Sequence, residues 1–236
     1  MLQQTQVARV VEKYQQFIKK FPTIRALANS SPAAVLRAWQ GLGYNRRALF
    51  LYKTANIIAQ QHKGIVPLQP EVLQKLPGIG AYTAVAIAVF AGQQSGVCIE
   101  TNIRRVFIHH FFADKKNIAD SEILPIIEKT VVGEKNPRRW YWALMDYGAS
   151  LPKMIQSNPN RKSSQYAKQS KFIGSLRHAR GIVLKVLIKN KNTSSLSHLQ
   201  KELKKRNISP QNSAKAIHAL HKEGFINIRN NMIGLR

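Results

Sequence analysis

Cysteine is nearly absent: the 236 residues hold one, Cys98. A single thiol cannot build a disulfide framework, nor a cysteine-ligated zinc or iron–sulfur site. Acid is scarce as well. Eleven Asp and Glu stand against 37 Lys and Arg, a formal net charge of +26. The bases run along the whole length, which points to an anionic polymer as partner, nucleic acid first. The competing reading of the charge is a generally basic proteome or a ribosome-associated protein. No apolar run reaches the length of a membrane span, and no signal-peptide pattern opens the chain. The expectation is a cytoplasmic, nucleoid-associated protein with no membrane partner. Alternating strand patterns are missing through residue 150, so this part reads as all-α. Hydrophobic content is 44%, ample for a core.

What is present centres on residues 76–105. Leu76-Pro77-Gly78-Ile79-Gly80 is a Gly-rich turn between two helical patterns. Two glycines two apart allow backbone conformations closed to other residues. The amides of Gly78, Ile79 and Gly80 would face outward at a helix start and hold a phosphate. An ordinary helix–helix turn is the alternative. Small and apolar residues follow, Ala81 to Phe90, and then an isolated acid, Glu100, ahead of the basic start Thr101-Asn102-Ile103-Arg104-Arg105.

The periodicity predicts helices over 1–20, 24–28, 33–40, 46–61, 70–75, 81–90, 101–112, 120–132 and 137–149. No capping segment precedes the first, so the N-terminus reads as cut. Asn45 can cap the helix starting at Arg46. Residues 151–172 are polar, basic and rich in Ser and Asn. They read equally as an ordered irregular connector or a flexible linker. Beyond them, helices at 182–188, 196–205 and 210–221 and a hairpin at 225–235 suggest a winged-helix-like unit. Its third helix would face a groove, or only pack. The expected division is 1–97, 98–172 and 173–236. His109 and His110 lack further ligands and read as structural, so no metal site is expected.

Several segments jointly resemble one family: MLQQTQV (1–7), GLGYNRRA (41–48), LPGIGAYTA (76–84), ETNIRRV (100–106) and MDYGA (145–149). They are similar to the MutY branch of the helix-hairpin-helix DNA glycosylases, with endonuclease III as a cousin. The resemblance covers about residues 1–150. It implies a mainly α, two-lobed fold and a monomer acting on double-stranded DNA that holds a mismatch or lesion. It implies flipping and hydrolytic removal of adenine mispaired with 8-oxoguanine or guanine. Thymine mismatch excision on the same scaffold, or DNA binding without catalysis, are the alternatives.

The resemblance also assigns residues. Glu100 matches the family's catalytic Asp; the other reading is a helix-capping acid. Tyr82 stands where endonuclease III has its Schiff-base Lys, which implies a monofunctional glycosylase; otherwise it is a helix-surface aromatic. Gln3, Gln4 and Thr5 match a loop that wedges beside the flipped base, or they are a polar helix start. Tyr44 matches an intercalating Tyr, or is a core-edge aromatic. Arg46, Arg47, Asn102, Arg104 and Arg105 would contact DNA, or are solvated surface.

Three departures stand out. Glu100 is one methylene longer than Asp, and the family's proton-donating Glu lies just upstream of Met1. No cysteines follow MDYGA, so a clusterless member without cofactor is expected, with the connector in the cluster's mechanical place. The domain by which MutY proteins read 8-oxoguanine is not recognisable.

Overall fold

Prolines and small polar caps set the helix starts. Pro32, Pro70, Pro137 and Pro210 each occupy a first-turn position, where the missing N–H would have no helical partner in any case. Ser31, Asn136 and Ser209, just ahead of three of them, accept a hydrogen bond from the backbone three residues on. In the computed structural model, which describes residues 1–92, 95–168 and 170–236, these signals mark helices in a chain of two compact units.

Unit 1 comprises Met1–Val66 and Gln169–Arg236. Its helices are α1 (Val7–Lys20), α2 (Ile24–Ala28), α3 (Pro32–Trp39), α4 (Arg46–Gln61), α10 (Leu176–Lys189), α11 (Leu196–Lys204) and α12 (Pro210–Lys222). Three short strands, β1 (Thr193–Ser195), β2 (Ile226–Arg229) and β3 (Met232–Leu235), form an antiparallel sheet in the order β1-β3-β2. One apolar cluster joins both chain segments: Phe17, Leu36 and Trp39 belong to it with Val183, Leu187, Leu220 and Phe225. Phe17 meets Trp39 edge-on at 6.1 Å.

Unit 2 is Pro67–Lys168. It holds α5 (Pro70–Leu73), α6 (Ala81–Phe90), α7 (Thr101–Phe111), α8 (Asp120–Val131), α9 (Pro137–Met154) and a 3₁₀ turn at Pro159–Lys162. Ile103, Ile108, Ile123, Ile127 and Tyr141 are fully buried in its core. The fold is mainly α, as expected.

Several local expectations need correction. The first helix begins at Val7; residues 3–5 are a turn, with Gln4 in the left-handed region at φ 56°. Asn45 precedes α4, but its side chain caps nothing. Helix α9 runs five residues past Ala149, through Pro152. Helix α10 starts six residues before Ile182, at a Ser175 cap that accepts from His178. Strand β1 went unforeseen because three residues give no period to read. The compact units do not follow the expected cuts at 97/98 and 172/173: the C-terminal helices share their core with residues 1–66.

One ionic cluster braces unit 1. Glu223 accepts from Arg180 at 2.5 and 2.7 Å and from Arg46 at 2.6 and 3.3 Å. The Arg180 bond above all holds the Glu223 carboxyl down at about 2. A lowered acid stabilises the fold above its ordinary value and loses that contribution as pH falls toward the lowered one. Glu223→Gln should therefore cost about 2 kcal/mol near neutral pH. The gap to the native protein should close as pH falls below about 4 in thermal or urea unfolding.

Candidate active site and nucleic-acid interface

Glu100 occupies the N-cap position of α7 in extended backbone. Its Oε1 accepts from Asn102 N at 2.6 Å and Ile103 N at 2.8 Å, satisfying two donors of the first turn. Among the described residues Oε2 accepts no hydrogen bond. The capping reading and the catalytic reading are compatible here, since each uses a different oxygen. Burial raises the Glu100 carboxyl above its ordinary value; the bonds from Ile103 and Asn102 and the charges of Arg105 and Arg104 oppose the shift.

Tyr82 lies on the first turn of α6 and is half-buried. Burial, then the Glu100 charge, drives its phenol well above the usual range, so it stays a neutral hydroxyl able to donate. Ahead of it, Gly78 takes φ 76°, a left-handed backbone that favours glycine. Gly80 does not: it is the N-cap of α6 at φ −88°, with open space where a Cβ would sit. It brings no side chain to the helix start, so α6 carries no side-chain cap. The turn therefore needs one of its two glycines for conformation, not both.

The N-terminal turn of α7 is held from α9. A Cβ built on Gly148 would sit 2.2 Å from the backbone oxygen of Asn102, so only glycine permits this approach. Four residues on, Pro152 has no N–H to offer the Gly148 carbonyl within the helix. Arg105 donates to that carbonyl instead, and also to Asn102 Oδ1 at 2.8 Å and Asn158 Oδ1 at 3.2 Å. Asn160 Nδ2 donates to Thr101 O at 2.8 Å. Ser164 N and Ile118 N bond Ile118 O and Lys162 O at 2.9 and 2.8 Å. Within the 151–172 stretch, the residues just after α9, through Ser164, are thus an ordered brace on α7, as the ordered-connector reading expects there.

The arginines have internal tasks. Arg104 forms a two-pronged pair with Asp120 at 2.6 and 2.7 Å. Arg105 is committed as above. Arg46 pairs with Glu223. Arg47 donates to the carbonyls of Met1, Gln3, Leu42 and Gly43 and to Thr5 Oγ1 at 2.8 Å. Its guanidinium lies 5.5 Å from the Trp39 ring and 5.4 Å from the Tyr44 ring. In unit 1, then, Gln3, Thr5, Tyr44 and Arg47 come together, with Gln4 exposed beside them. Tyr44, partly exposed, sits in the left-handed region at φ 47°, like Gln4. Non-glycine residues held there mark places where the surroundings over-determine the backbone. DNA contacts, or else solvated surface charge, were expected at these positions; their bonds within the fold exclude free solvation for Arg47, Arg104 and Arg105. Gly148, Pro152, Asn158, Asn160 and Asp120 were missed as site supports. Only Gly148 lay in a noted motif, and a glycine's close approach has no sequence period.

Residues 1–130 match the family model of the HhH-GPD superfamily base excision DNA repair protein. The chain belongs to this superfamily. It is 40% identical over 151 residues to an adenine DNA glycosylase of Mycolicibacterium smegmatis, covering 64% of this chain and 52% of that protein. Against an adenine DNA glycosylase of Mycobacterium tuberculosis it is 48% identical over 106 residues, 45% of this chain and 35% of the other. Against that of Homo sapiens it is 37% identical over 155 residues, 64% and 28%. The chain spans about half the length, or less, of these curated relatives. Over 63% of this chain and 69% of the other, its fold is similar to that of a thermostable thymine-DNA glycosylase, with TM-score 0.54 at 22% identity.

A cysteine-held cluster does not fit these residues. The stretch after Ala149 has no cysteine. Cys98 is buried, and burial above all pushes its thiol up to about 12, so no thiolate is on offer. Its segment is clamped: Cys98 N donates to Tyr141 Oη, which donates to Gly96 O at 2.8 Å. Among the described residues no three His, Cys, Asp or Glu gather to hold a metal. His110 Nε2 lies 2.9 Å from Tyr147 Oη.

Gly148→Ala should push α7 off α9, cost about 1–3 kcal/mol and lower the unfolding midpoint by several degrees. The Glu100 shift has the opposite sign to that of Glu223. The folded state holds the Glu100 proton more tightly than the unfolded chain, so this group's contribution falls as pH rises through the raised value. The melting temperature of Glu100→Gln should therefore gain on the native protein as pH rises above the ordinary carboxylate range.

Proposed function

We propose that the chain is a monofunctional DNA glycosylase that flips adenine from a mispair with 8-oxoguanine or guanine and hydrolyses its N-glycosidic bond. The observation that carries this is Glu100: one oxygen fixed by two α7 amides, the other accepting no hydrogen bond among the described residues, in a chain of a base excision repair superfamily that is similar to adenine DNA glycosylases.

The chemistry follows from the charges that develop. As the bond from C1′ to the base breaks, its electron pair leaves with adenine, which takes up a proton. Positive charge grows on the sugar; a water then bonds its oxygen to C1′ and releases a proton, which balances the one adenine takes up. Glu100 Oε2 is the group for the sugar cation, worth most where water is scarce. Tyr82, neutral and near the Glu100 charge, orients the carboxylate or the substrate. It has no amine for a Schiff base, so no lyase step follows.

Each unit brings its own candidate contacts. The amides around Gly78, Ile79 and Gly80 take a phosphate at the start of α6. Gln3, Gln4 and Thr5 fill the gap beside the extruded base, with amides suited to base edges, and Tyr44 stacks. Arg46, still more than half exposed, is the arginine best placed to leave its partner for a phosphate. Asn102, Arg104 and Arg105 shape the α7 end that faces the strand. Residues 155–164 take the mechanical place of the family's cluster loop, with no cofactor. The protein acts as a monomer on duplex DNA in the cytoplasmic nucleoid.

Duplexes holding A opposite 8-oxoguanine, A opposite G or T opposite G, incubated with the chain and then treated with alkali, test this. Strand cleavage at the first two is expected, with Glu100→Gln slowing it by at least about 10²-fold under single-turnover conditions. Retained cleavage in Glu100→Gln removes Glu100 from its role. Cleavage only at T opposite G would replace adenine by thymine. Binding with no cleavage of any duplex would leave a DNA-binding protein without catalysis.

A further inference from the structure

We propose that the outer face of α12, with the β2–β3 turn, is a second duplex-DNA-binding surface that grips undamaged DNA independently of base excision. The element order α10, β1, α11, α12, β2, β3 sets a helix pair with a five-residue connection ahead of a hairpin. Helix α12 buries Ser213, Ala216, Ile217 and Leu220 against its unit. The opposite face exposes Gln211, Ala214, Lys215, His218 and Lys222. Those positions recur at each turn over about 16 Å of helix, enough to lie in a major groove about 12 Å wide. Ala214 leaves the middle low, and Gln211 offers an amide that can pair with a base edge.

Charge decides the class of partner. Helix α12 contains no acid at all. From Ser170 to Arg236 there are fourteen Lys and Arg and two acids. Both acids are already neutralised: Glu202 by Lys205 and Arg206, Glu223 by Arg46 and Arg180. Neither acidic side chain of residues 170–236 is thus left as a bare negative charge to repel a phosphate backbone. The hairpin adds a second point of contact. Asn230 and Asn231 make a tight two-residue turn at φ 46° and 60°, conformations Asn tolerates, and Arg229 stands exposed beside them. A helix for the groove and a cationic turn for the flanking backbone suit a duplex better than a flat acidic protein surface.

Basic residues are spread over the whole chain, so the test must separate place from charge. The full chain is titrated against an undamaged duplex of about 25 base pairs by fluorescence anisotropy over a series of salt concentrations. Lys215→Gln/Lys222→Gln is compared with Lys185→Gln/Lys189→Gln, which removes the same charge from α10. The α12 double variant should bind about tenfold or more weakly near 0.1 M salt, its log K against log salt slope falling by about two. The α10 variant should change both far less. Equal losses in the two variants, or none in the α12 variant at native folding, overturn the proposal, as does a loss confined to duplex RNA. If the double variant fails to unfold cooperatively, Lys215→Gln alone should still lower the slope by about one, and an unchanged slope there also overturns it. Excision of a mispaired adenine at saturating enzyme is read in parallel. A fall in binding with unchanged excision rate separates this surface from the Glu100 site.

Discussion

The bond from two α7 amides to Glu100 Oε1 is the constraint on which the rest of unit 2 turns. A helix N-terminus offers donors and partial positive charge; a carboxyl placed there is held in position, and the amides offset part of the upward shift that burial imposes. The α7 turn must itself be fixed for this to matter. It is fixed by an unusual exchange: Pro152 leaves the Gly148 carbonyl without a helical donor, and Arg105 of α7 supplies one. Gly148, having no side chain, lets the two helices come close enough for that bond. Asn158 and Asn160 close the arrangement from the segment that follows.

The basic residues divide into two populations that composition cannot separate. Arg47, Arg104, Arg105 and Arg180 form part of the fold, each making several directed bonds. Guanidinium suits this, because its planar fork meets carbonyls and carboxylates two at a time. The exposed lysines make few such bonds, and the field that draws in a polyanion comes largely from them. A chain at +26 can thus be rigid where its arginines lie and still strongly attractive to DNA.

Much of this was legible before any coordinates. Helix starts announced by Ser or Asn before Pro came out within a residue or two, because capping is a local matter. The isolated acid before α7, and the glycine turn before α6, were visible for the same reason. The internal task of Arg47 was hidden because its partners are backbone carbonyls at residues 1, 3, 42 and 43, and no residue code signals a bare carbonyl. The sharing of one core by residues 1–66 and the C-terminal helices was hidden as well. Both segments are amphipathic, and amphipathicity says that a face is buried without saying against what.

That shared core has a consequence for synthesis. Unit 1 is written in two instalments, with about one hundred residues of unit 2 between them. At ribosomal rates of about 5–20 residues per second, its first instalment waits roughly 5–20 seconds for the second. Val35, Leu36 and Trp39 belong to an apolar cluster that is complete only once the C-terminal helices have emerged. Unit 2, being continuous, can close first. The order of maturation is then inside out: the segment bearing Glu100 takes shape while the one bearing Tyr44 is still held open, a nascent chain with sticky helices for a chaperone to hold.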